Sequence, residues 1–161
     1  MRIGEGSVIF VTGGASGLGE ATVRDMYALG ASIAVVDQDD EKMRALYAEL
    51  GSSERILCIK CDVTKEEEVK NAIDRTVEKF GTIHAALACA GVAWPAPMLS
   101  RQGPLDTDSF RSVIQINLLG SVFVAKYAAV VMAKNKPLND QGEKGVIMFV
   151  SSVAAEEATR A

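Results

Sequence analysis

The sequence predicts an α/β fold, a doubly wound parallel sheet with helices on both faces. Two observations carry that prediction. Near the start, Val8-Ile9-Phe10-Val11 runs straight into a glycine-rich turn, Thr12-Gly13-Gly14-Ala15-Ser16-Gly17-Leu18-Gly19, and a helical pattern follows it. From there on, short apolar runs alternate with helical patterns in the order β-α-β-α-β-α-β-α-β. Alternation of this kind builds a parallel sheet through right-handed crossovers.

In the first unit Leu18, Ala21, Thr22, Met26 and Leu29 recur at helical spacing, and Gly30 stands where a C-cap would be. Strand, glycine turn and helix in this order suit a dinucleotide. The helix N-terminus offers free N–H groups and the positive end of its dipole. Glycines let a pyrophosphate approach without a Cβ in the way. The spacing is Gly13-x-x-x-Gly17-x-Gly19, not G-x-G-x-x-G, and the P-loop Lys-Ser/Thr is missing, which argues against a nucleoside-triphosphate site.

The chain has 161 residues, 48% hydrophobic and 24% charged, which fits one domain over residues 1–161. Its net charge of −4 argues against nucleic acid as a direct partner. No apolar run is read as long enough for a membrane span, so no membrane partner is expected. Residues 1–6 are too short for a signal peptide, and no targeting segment is visible. Three cysteines, an odd number, suit a reducing compartment, and the expected location is mitochondrial or cytoplasmic. Cys58 and Cys61 match C-x-x-C but fall in a strand pattern, where alternation points them to opposite faces.

The second strand, Ile33-Ala34-Val35-Val36, ends in Asp37, about twenty residues past the glycine turn, where an acid can bond the adenosine ribose hydroxyls. A 2′-phosphate there would face a like charge, and the glycine loop holds no Arg or Lys to compensate, so NAD is favoured over NADP. Asp37 also reads as the start of the turn Gln38-Asp39-Asp40. Met43, Leu46, Tyr47 and Leu50 mark the next helix, closed by Gly51. A third strand over 56–61 leads to Asp62-Val63, at the edge where adenine would lie. Thr64 and Glu67 have the spacing of a capping box, opening a helix that carries Val69, Ala72, Ile73, Thr76, Val77 and Phe80 on one face.

A fourth strand over 83–89 ends in Cys89-Ala90-Gly91. The single histidine, His84, lies at its start, away from the strand ends that make a site, and reads as a surface or hydrogen-bonded structural group. Neither a histidine triad nor a metal site is expected. Residues 92–107 are loop-like and a candidate rim of the crevice. The longest helical pattern spans about 108–134, with Phe110, Val113, Ile114 and Asn117 on one face. Asn117 is thus expected as a buried amide that must find partners. Leu119, Phe123 and Val130 point outward and suggest a face covered by a partner subunit. A last apolar strand over 146–150 ends in Ser151-Ser152, at a strand end where ligands bind; the pair also reads as a plain strand end or a helix N-cap.

Together, the glycine turn, Asp37, Asp62-Val63, Cys89-Ala90-Gly91, Asn117 and Ser151-Ser152 resemble the short-chain dehydrogenase/reductase family, in order and over nearly the whole chain. Cys-Ala-Gly, the loop Asn135-Lys136-Pro137…Asp140-Gln141-Gly142 and Ser152-Val153-Ala154-Ala155 are most similar to its type-2 3-hydroxyacyl-CoA dehydrogenases, also called 17β-hydroxysteroid dehydrogenase type 10. The resemblance implies a Rossmann-type sheet and an NAD-linked oxidation of a secondary alcohol, such as a 3-hydroxyacyl-CoA or a hydroxysteroid, or the reverse reduction. Gly13, Ser16, Gly17, Leu18 and Gly19 would form the pyrophosphate loop, with Ser16 and Leu18 in contact. Asp37 would hold the ribose, Asp62 and Val63 the adenine, and Cys89, Ala90 and Gly91 the cofactor side. Ser152 would be the catalytic serine, and Asn117 would hold a water in the proton relay.

One part of the family pattern is missing. Its general base is a tyrosine with a lysine four residues on, a dozen or so residues past the serine. Four residues after Tyr27, Tyr47 and Tyr127 stand Ala31, Gly51 and Val131. Lys126 and Tyr127 are neighbours with the wrong spacing. The sheet is therefore expected to be truncated after its fifth strand, leaving the apolar run 146–150 as an exposed edge. The alternative is a catalytically inactive dinucleotide-binding or scaffold module. A homodimer or homotetramer is expected in either case.

Overall fold

The computed structural model describes residues 2–51, 53–94, 96–101 and 103–155. Strands β1 (Val8–Thr12), β2 (Ser32–Asp37), β3 (Ile56–Lys60), β4 (Ala85–Ala88) and β7 (Val146–Phe149) form one parallel sheet in the order β3-β2-β1-β4-β7. Two short strands, β5 (Leu99–Ser100) and β6 (Gly103–Pro104), pair antiparallel in the loop after β4. The chain leaves β1 toward β2 and β3, then returns to the other side of β1 with β4. That reversal opens a crevice at the carboxyl ends of β1 and β4, the place where open α/β sheets bind ligands.

Alternation along the strands splits the core into two layers. Ile9, Val11, Ile33, Val35 and Ile56 bury with Val23 of α1 (Gly17–Ala28) and Met43 and Leu46 of α2 (Asp40–Glu49). Phe10, Ala34, Val36 and Ile59 bury on the other face, with Val69, Ala72 and Ile73 of α3 (Glu66–Phe80) and Val124, Ala128 and Met132 of α5 (Ser121–Met132). The sheet is thus wound on both faces. Cys58 and Cys61 sit in opposite layers as free thiols, because three residues along an extended chain reverse the face.

Several local expectations are corrected. The third and fourth strands are shorter than 56–61 and 83–89. Helix α3 starts at Glu66 after Lys65, which provides no side-chain cap, so the Thr64–Glu67 box does not form. Glu68 reaches back instead, accepting the Asp62 N–H at 2.8 Å, while the Asp62 carboxylate accepts from the Thr64 N–H (3.0 Å) and hydroxyl (2.7 Å). A turn tied by Asp62 displaces the cap by one residue.

The long helical pattern is one continuous helix in three parts. Helix α4 (Thr107–Val113), capped by the Asp106 carboxylate, runs into a π-helical segment (Ile114–Gly120) and then α5. No residue of α4 and only Gly120 of the π-helical segment is buried, so the face predicted at α-helical spacing does not lie on the core. Phe110 is 51% exposed and Asn117 is exposed rather than buried. Phe123, expected to point outward, packs on the core layer of α3, whereas Leu119 and Val130 are exposed. The continuous helix Thr107–Met132, 26 residues, is long and apolar enough by length and composition to cross a membrane, which corrects the reading that no segment is. Gln115, Asn117 and Lys126 interrupt its apolar run without lowering its average far enough. Here α5 lies on α3 and the sheet. Strand β7 is a sheet edge, with Met148 and Phe149 exposed.

Candidate functional site

The crevice at the switch point is an open cleft of about 370 Å³. Each of Gly13, Ser16, Gly17, Leu18, Gly19, Asp37, Asp62, Val63, Cys89, Ala90 and Gly91 lines it. Four strand ends separated by up to eighty residues of sequence meet there, because parallel strands deliver all their carboxyl ends to one edge.

The glycines do different work. Gly13 has φ +65°, and a Cβ there would lie 2.7 Å from the Ala90 nitrogen, so it lets the loop close on the end of β4. A Cβ on Gly19 would strike the Gly13 carbonyl oxygen. Gly17 has φ +53°, yet a Cβ there would meet no protein atom within 4 Å. Packing therefore does not require this glycine. It keeps the mouth of the cleft free at the first residue of α1. Ser16 precedes the helix in extended conformation and makes no side-chain cap. The first N–H groups of α1 thus have no intrahelical partner, as an anion-binding helix start requires.

Hydrogen bonds hold the loop to the strand ends. Asp37 accepts from the Ala15 N–H at 3.0 Å with one carboxylate oxygen and from the Asp39 N–H at 3.1 Å with the other. It therefore both starts the turn and faces the cleft. The buried Thr12 hydroxyl donates to the Leu87 carbonyl (3.5 Å) and accepts from the Ala90 N–H (3.4 Å), joining the ends of β1 and β4. Burial opposes the charged form of Asp62, but the hydroxyl and N–H of Thr64 and the Lys65 ammonium outweigh it, and its pKa lies below the usual carboxylate value. Val63 closes against Gly120, where a Cβ would lie 2.9 Å from Val63 Cγ2.

Both thiols at the cleft are shifted away from the reactive thiolate form. Burial first, then the charges of Glu68 and Asp62, push the Cys61 thiol up to about 12. Burial also raises that of Cys89. Both remain protonated at neutral pH.

Asn117 is not in the cleft wall. It stands behind it, with Oδ1 accepting from the Val92 N–H at 2.9 Å and Nδ2 donating to the Val92 carbonyl at 2.8 Å. Its backbone carbonyl accepts from the Ser121 hydroxyl at 2.7 Å. Ser152 follows β7 at the same sheet edge but is exposed and does not line the cleft. Its hydroxyl accepts from the Ala154 N–H at 3.2 Å, the cap-like alternative anticipated for it. Lys126 and Tyr127 both donate to Glu66 Oε1, at 2.6 and 2.8 Å, on the surface between α3 and α5. His84 lies at the other end of β4, its Nδ1 accepting from the Val8 N–H at 3.0 Å, and burial lowers its pKa. That is the hydrogen-bonded structural histidine anticipated for it.

Val36, Gln38, Cys61, Val92 and Ile116 also line the cleft and were missed by the sequence reading. Val36, Gln38, Cys61 and Val92 adjoin strand-end residues that were named, so widening every strand end by one residue would have found them, whereas Ile116 lies on the π-helical segment beside Asn117 and carried no such signal. The role of Thr12 carried no comparable signal, since a threonine inside an apolar strand reads as packing.

Comparison with known proteins places these features. The family model described as short chain dehydrogenase matches residues 7–160. The chain is 36% identical over 151 residues to short chain aldehyde dehydrogenase 1 of Euphorbia lathyris, covering 94% of this chain and 49% of that protein. It is 35% identical over 157 residues to 3-hydroxyacyl-CoA dehydrogenase type-2 of Homo sapiens, covering 95% and 58%. A short-chain dehydrogenase/reductase structure from Brucella melitensis matches with a TM-score of 0.84 at 28% identity, covering 99% of this chain and 63% of that one. One from Mycobacterium ulcerans matches with a TM-score of 0.85 at 26% identity, covering 99% and 56%. The chain thus spans about half to three-fifths of the length of the proteins it matches. Type-2 3-hydroxyacyl-CoA dehydrogenases stand among these relatives beside enzymes named for other substrates, such as (+)-borneol dehydrogenase 2 of Salvia officinalis at 38% identity.

Proposed function

The chain belongs to the short-chain dehydrogenase family, and on that footing we propose that it binds NAD in this cleft and serves hydride transfer between NAD and a secondary alcohol or ketone. The observation that supports this reading is the convergence of the glycine loop, Asp37, Asp62-Val63 and Cys89-Ala90-Gly91 on one opening. The residues fit the group. The uncapped start of α1 suits the pyrophosphate, with Gly17 leaving the space open. Asp37 accepts from the ribose hydroxyls, and the apolar wall of Val36, Val63 and Ile116 receives the adenine beside Asp62. Cys89, Ala90 and Gly91 line the way toward the reacting end.

Bound NAD supplies a hydride acceptor at its nicotinamide. The protein's part is to orient, exclude water and handle the proton. Ser152 donates a hydrogen bond to the substrate oxygen and steadies its developing charge. Asn117 holds a water in the proton relay, as the resemblance implies, and its amide also fixes the backbone of Val92, leaving a second N–H and a second lone pair for that water. The proposed substrate is a 3-hydroxyacyl-CoA or a hydroxysteroid-like secondary alcohol, as suggested by the relatives of that type. The exposed apolar residues Leu118, Leu119 and Val130 support a homodimer or homotetramer. Location in mitochondria or cytoplasm completes the reading.

A second reading has one specific observation behind it: no tyrosine of this sequence is followed four residues on by lysine. In that reading the chain is a dinucleotide-binding or scaffold module without turnover. Calorimetric titration with NADH, followed by assay of alcohol oxidation with NAD, separates the two. Binding with turnover supports the dehydrogenase. Binding without turnover supports the module. Absence of binding removes the dehydrogenase and the dinucleotide-binding module and leaves only the scaffold.

A further inference from the structure

A second groove, about 510 Å³, opens from the adenosine end of the cleft and shares Gln38, Cys61 and Asp62 with it. Lys60, Lys65 and Glu68 complete its lining. Its two cations differ in what they are free to do. The Lys65 ammonium is 2.8 Å from Glu68 and 3.7 Å from Asp62. Lys60 is exposed and makes no ion pair among the described residues.

The sheet register places that free cation. Asp37 and Lys60 are direct partners in the parallel pair β2–β3. Residues paired across parallel strands project to the same face, with backbones about 4.8 Å apart. The acid proposed to hold the adenosine ribose therefore has an uncommitted lysine as its lateral neighbour. The Asp37 carboxylate is meanwhile bound on both oxygens by backbone N–H groups, of Ala15 and Asp39, which disperse part of its charge. A group leaving the cleft past Asp37 toward Gln38 enters the groove that Lys60 lines.

We propose that Lys60 is a specificity-determining residue for the adenosine ribose: it receives a 2′-phosphate in the side groove and offsets the repulsion from Asp37. The site then prefers the unphosphorylated dinucleotide yet retains measurable affinity for the 2′-phosphorylated one. This rests on the NAD-binding reading above and deepens it.

The test compares four probes, 5′-AMP, adenosine 2′,5′-bisphosphate, NADH and NADPH, by calorimetric titration of the wild-type chain and of Lys60→Ala, Lys60→Glu and Lys60→Arg. Lys60→Ala is expected to weaken the 2′-phosphorylated probes about tenfold and leave 5′-AMP and NADH within about twofold. Lys60→Glu weakens them further, and Lys60→Arg restores them. Raising salt from about 0.05 to 0.5 M should loosen the 2′-phosphorylated probes more than the others, and this difference should shrink in Lys60→Ala. Binding of 5′-AMP and NADH with the 2′-phosphorylated probes indifferent to Lys60 overturns this inference alone. Equal weakening of all four probes in Lys60→Ala, with unchanged Tm, also overturns it. Failure of every probe to bind the wild-type chain overturns the NAD-binding reading and this inference with it.

Discussion

Asn117 holds the backbone of Val92 at both ends of its amide, accepting at 2.9 Å and donating at 2.8 Å. The contact crosses from the π-helical segment to the loop after β4, twenty-five residues away, and fixes the loop just past Gly91 at the cleft. The fit is close: a Cβ on Gly91 would already lie 3.4 Å from Asn117 Oδ1. Removing the amide with Asn117→Ala is expected to cost about 1–2 kcal/mol, two hydrogen bonds near the surface. NADH affinity should fall severalfold as the loop loosens. Asn117→Asp keeps the acceptor for the Val92 N–H but sets a carboxylate against the Val92 carbonyl, so it should fall between wild type and Asn117→Ala in NADH affinity. Denaturant unfolding and NADH titration of the three proteins check the order.

The glycine loop allows stability and binding to be separated. Gly13→Ala combines a positive φ with a 2.7 Å encounter with the Ala90 nitrogen, a backbone atom that cannot step aside. It is expected to destabilise the fold by about 2–4 kcal/mol. Gly17→Ala has only the strained φ, since nothing lies within 4 Å, and should cost about 1–2 kcal/mol. Its methyl occupies the mouth of the cleft, so NADH binding should drop at least tenfold. The expected pattern is a larger Tm loss for Gly13→Ala and a disproportionate affinity loss for Gly17→Ala. Similar Tm losses with unchanged NADH affinity in Gly17→Ala would speak against the proposed cofactor position.

Much of this site was legible from sequence because strand ends announce themselves. Asp37, Asp62 and Cys89 each follow an apolar run, and parallel strands must deliver them to one edge. The face of the long helix was not legible. A period of 3.6 residues places Asn117 in line with Phe110 and Ile114, yet all three are exposed, because no residue of α4 and only Gly120 of the π-helical segment is buried. The cap of α3 misled for a related reason. Thr64 and Glu67 have the right spacing, but Asp62 captures the Thr64 hydroxyl first, and a local bond of two residues outcompetes a cap.

That turn gives an acid-sensitive prediction. The Asp62 pKa is lowered, the Thr64 bonds and Lys65 outweighing burial, and the Glu68 pKa is lowered by the Asp62 N–H and then by Lys65. A carboxylate with a depressed folded-state pKa contributes stability above its unfolded pKa and loses it as pH falls through the folded value. The turn between β3 and α3 should therefore be fully held above about pH 5 and should loosen as pH drops below about 4. Glu68→Gln removes one charge of the pair, so its Tm should fall less steeply than wild type between about pH 5 and 3. Thermal unfolding across that range, with both proteins in the same salt, measures the difference. Parallel acid limbs would count against the Glu68 contribution.

The cysteines provide a map of the cleft with a built-in control. Burial raises the pKa of Cys58 and Cys89 above the ordinary thiol value and, with the nearby Glu68 and Asp62 charges, carries Cys61 to about 12. Alkylation by iodoacetamide at pH 7.5 should therefore be slow at all three, because the thiolate is the reactive form. Cys61 is 2% exposed and should react last. Cys89 lines the cleft, while Cys58 packs in the layer of α2 and donates to the Met43 carbonyl at 3.6 Å. Saturating NADH should then slow labelling of Cys89 severalfold and leave Cys58 unchanged, since one thiol lies under the ligand and the other beneath a helix. Peptide mass spectrometry of the labelled protein reads both rates in one experiment. Equal protection of the two would indicate general tightening of the fold on binding, and protection of neither would place the dinucleotide elsewhere than against Cys89-Ala90-Gly91.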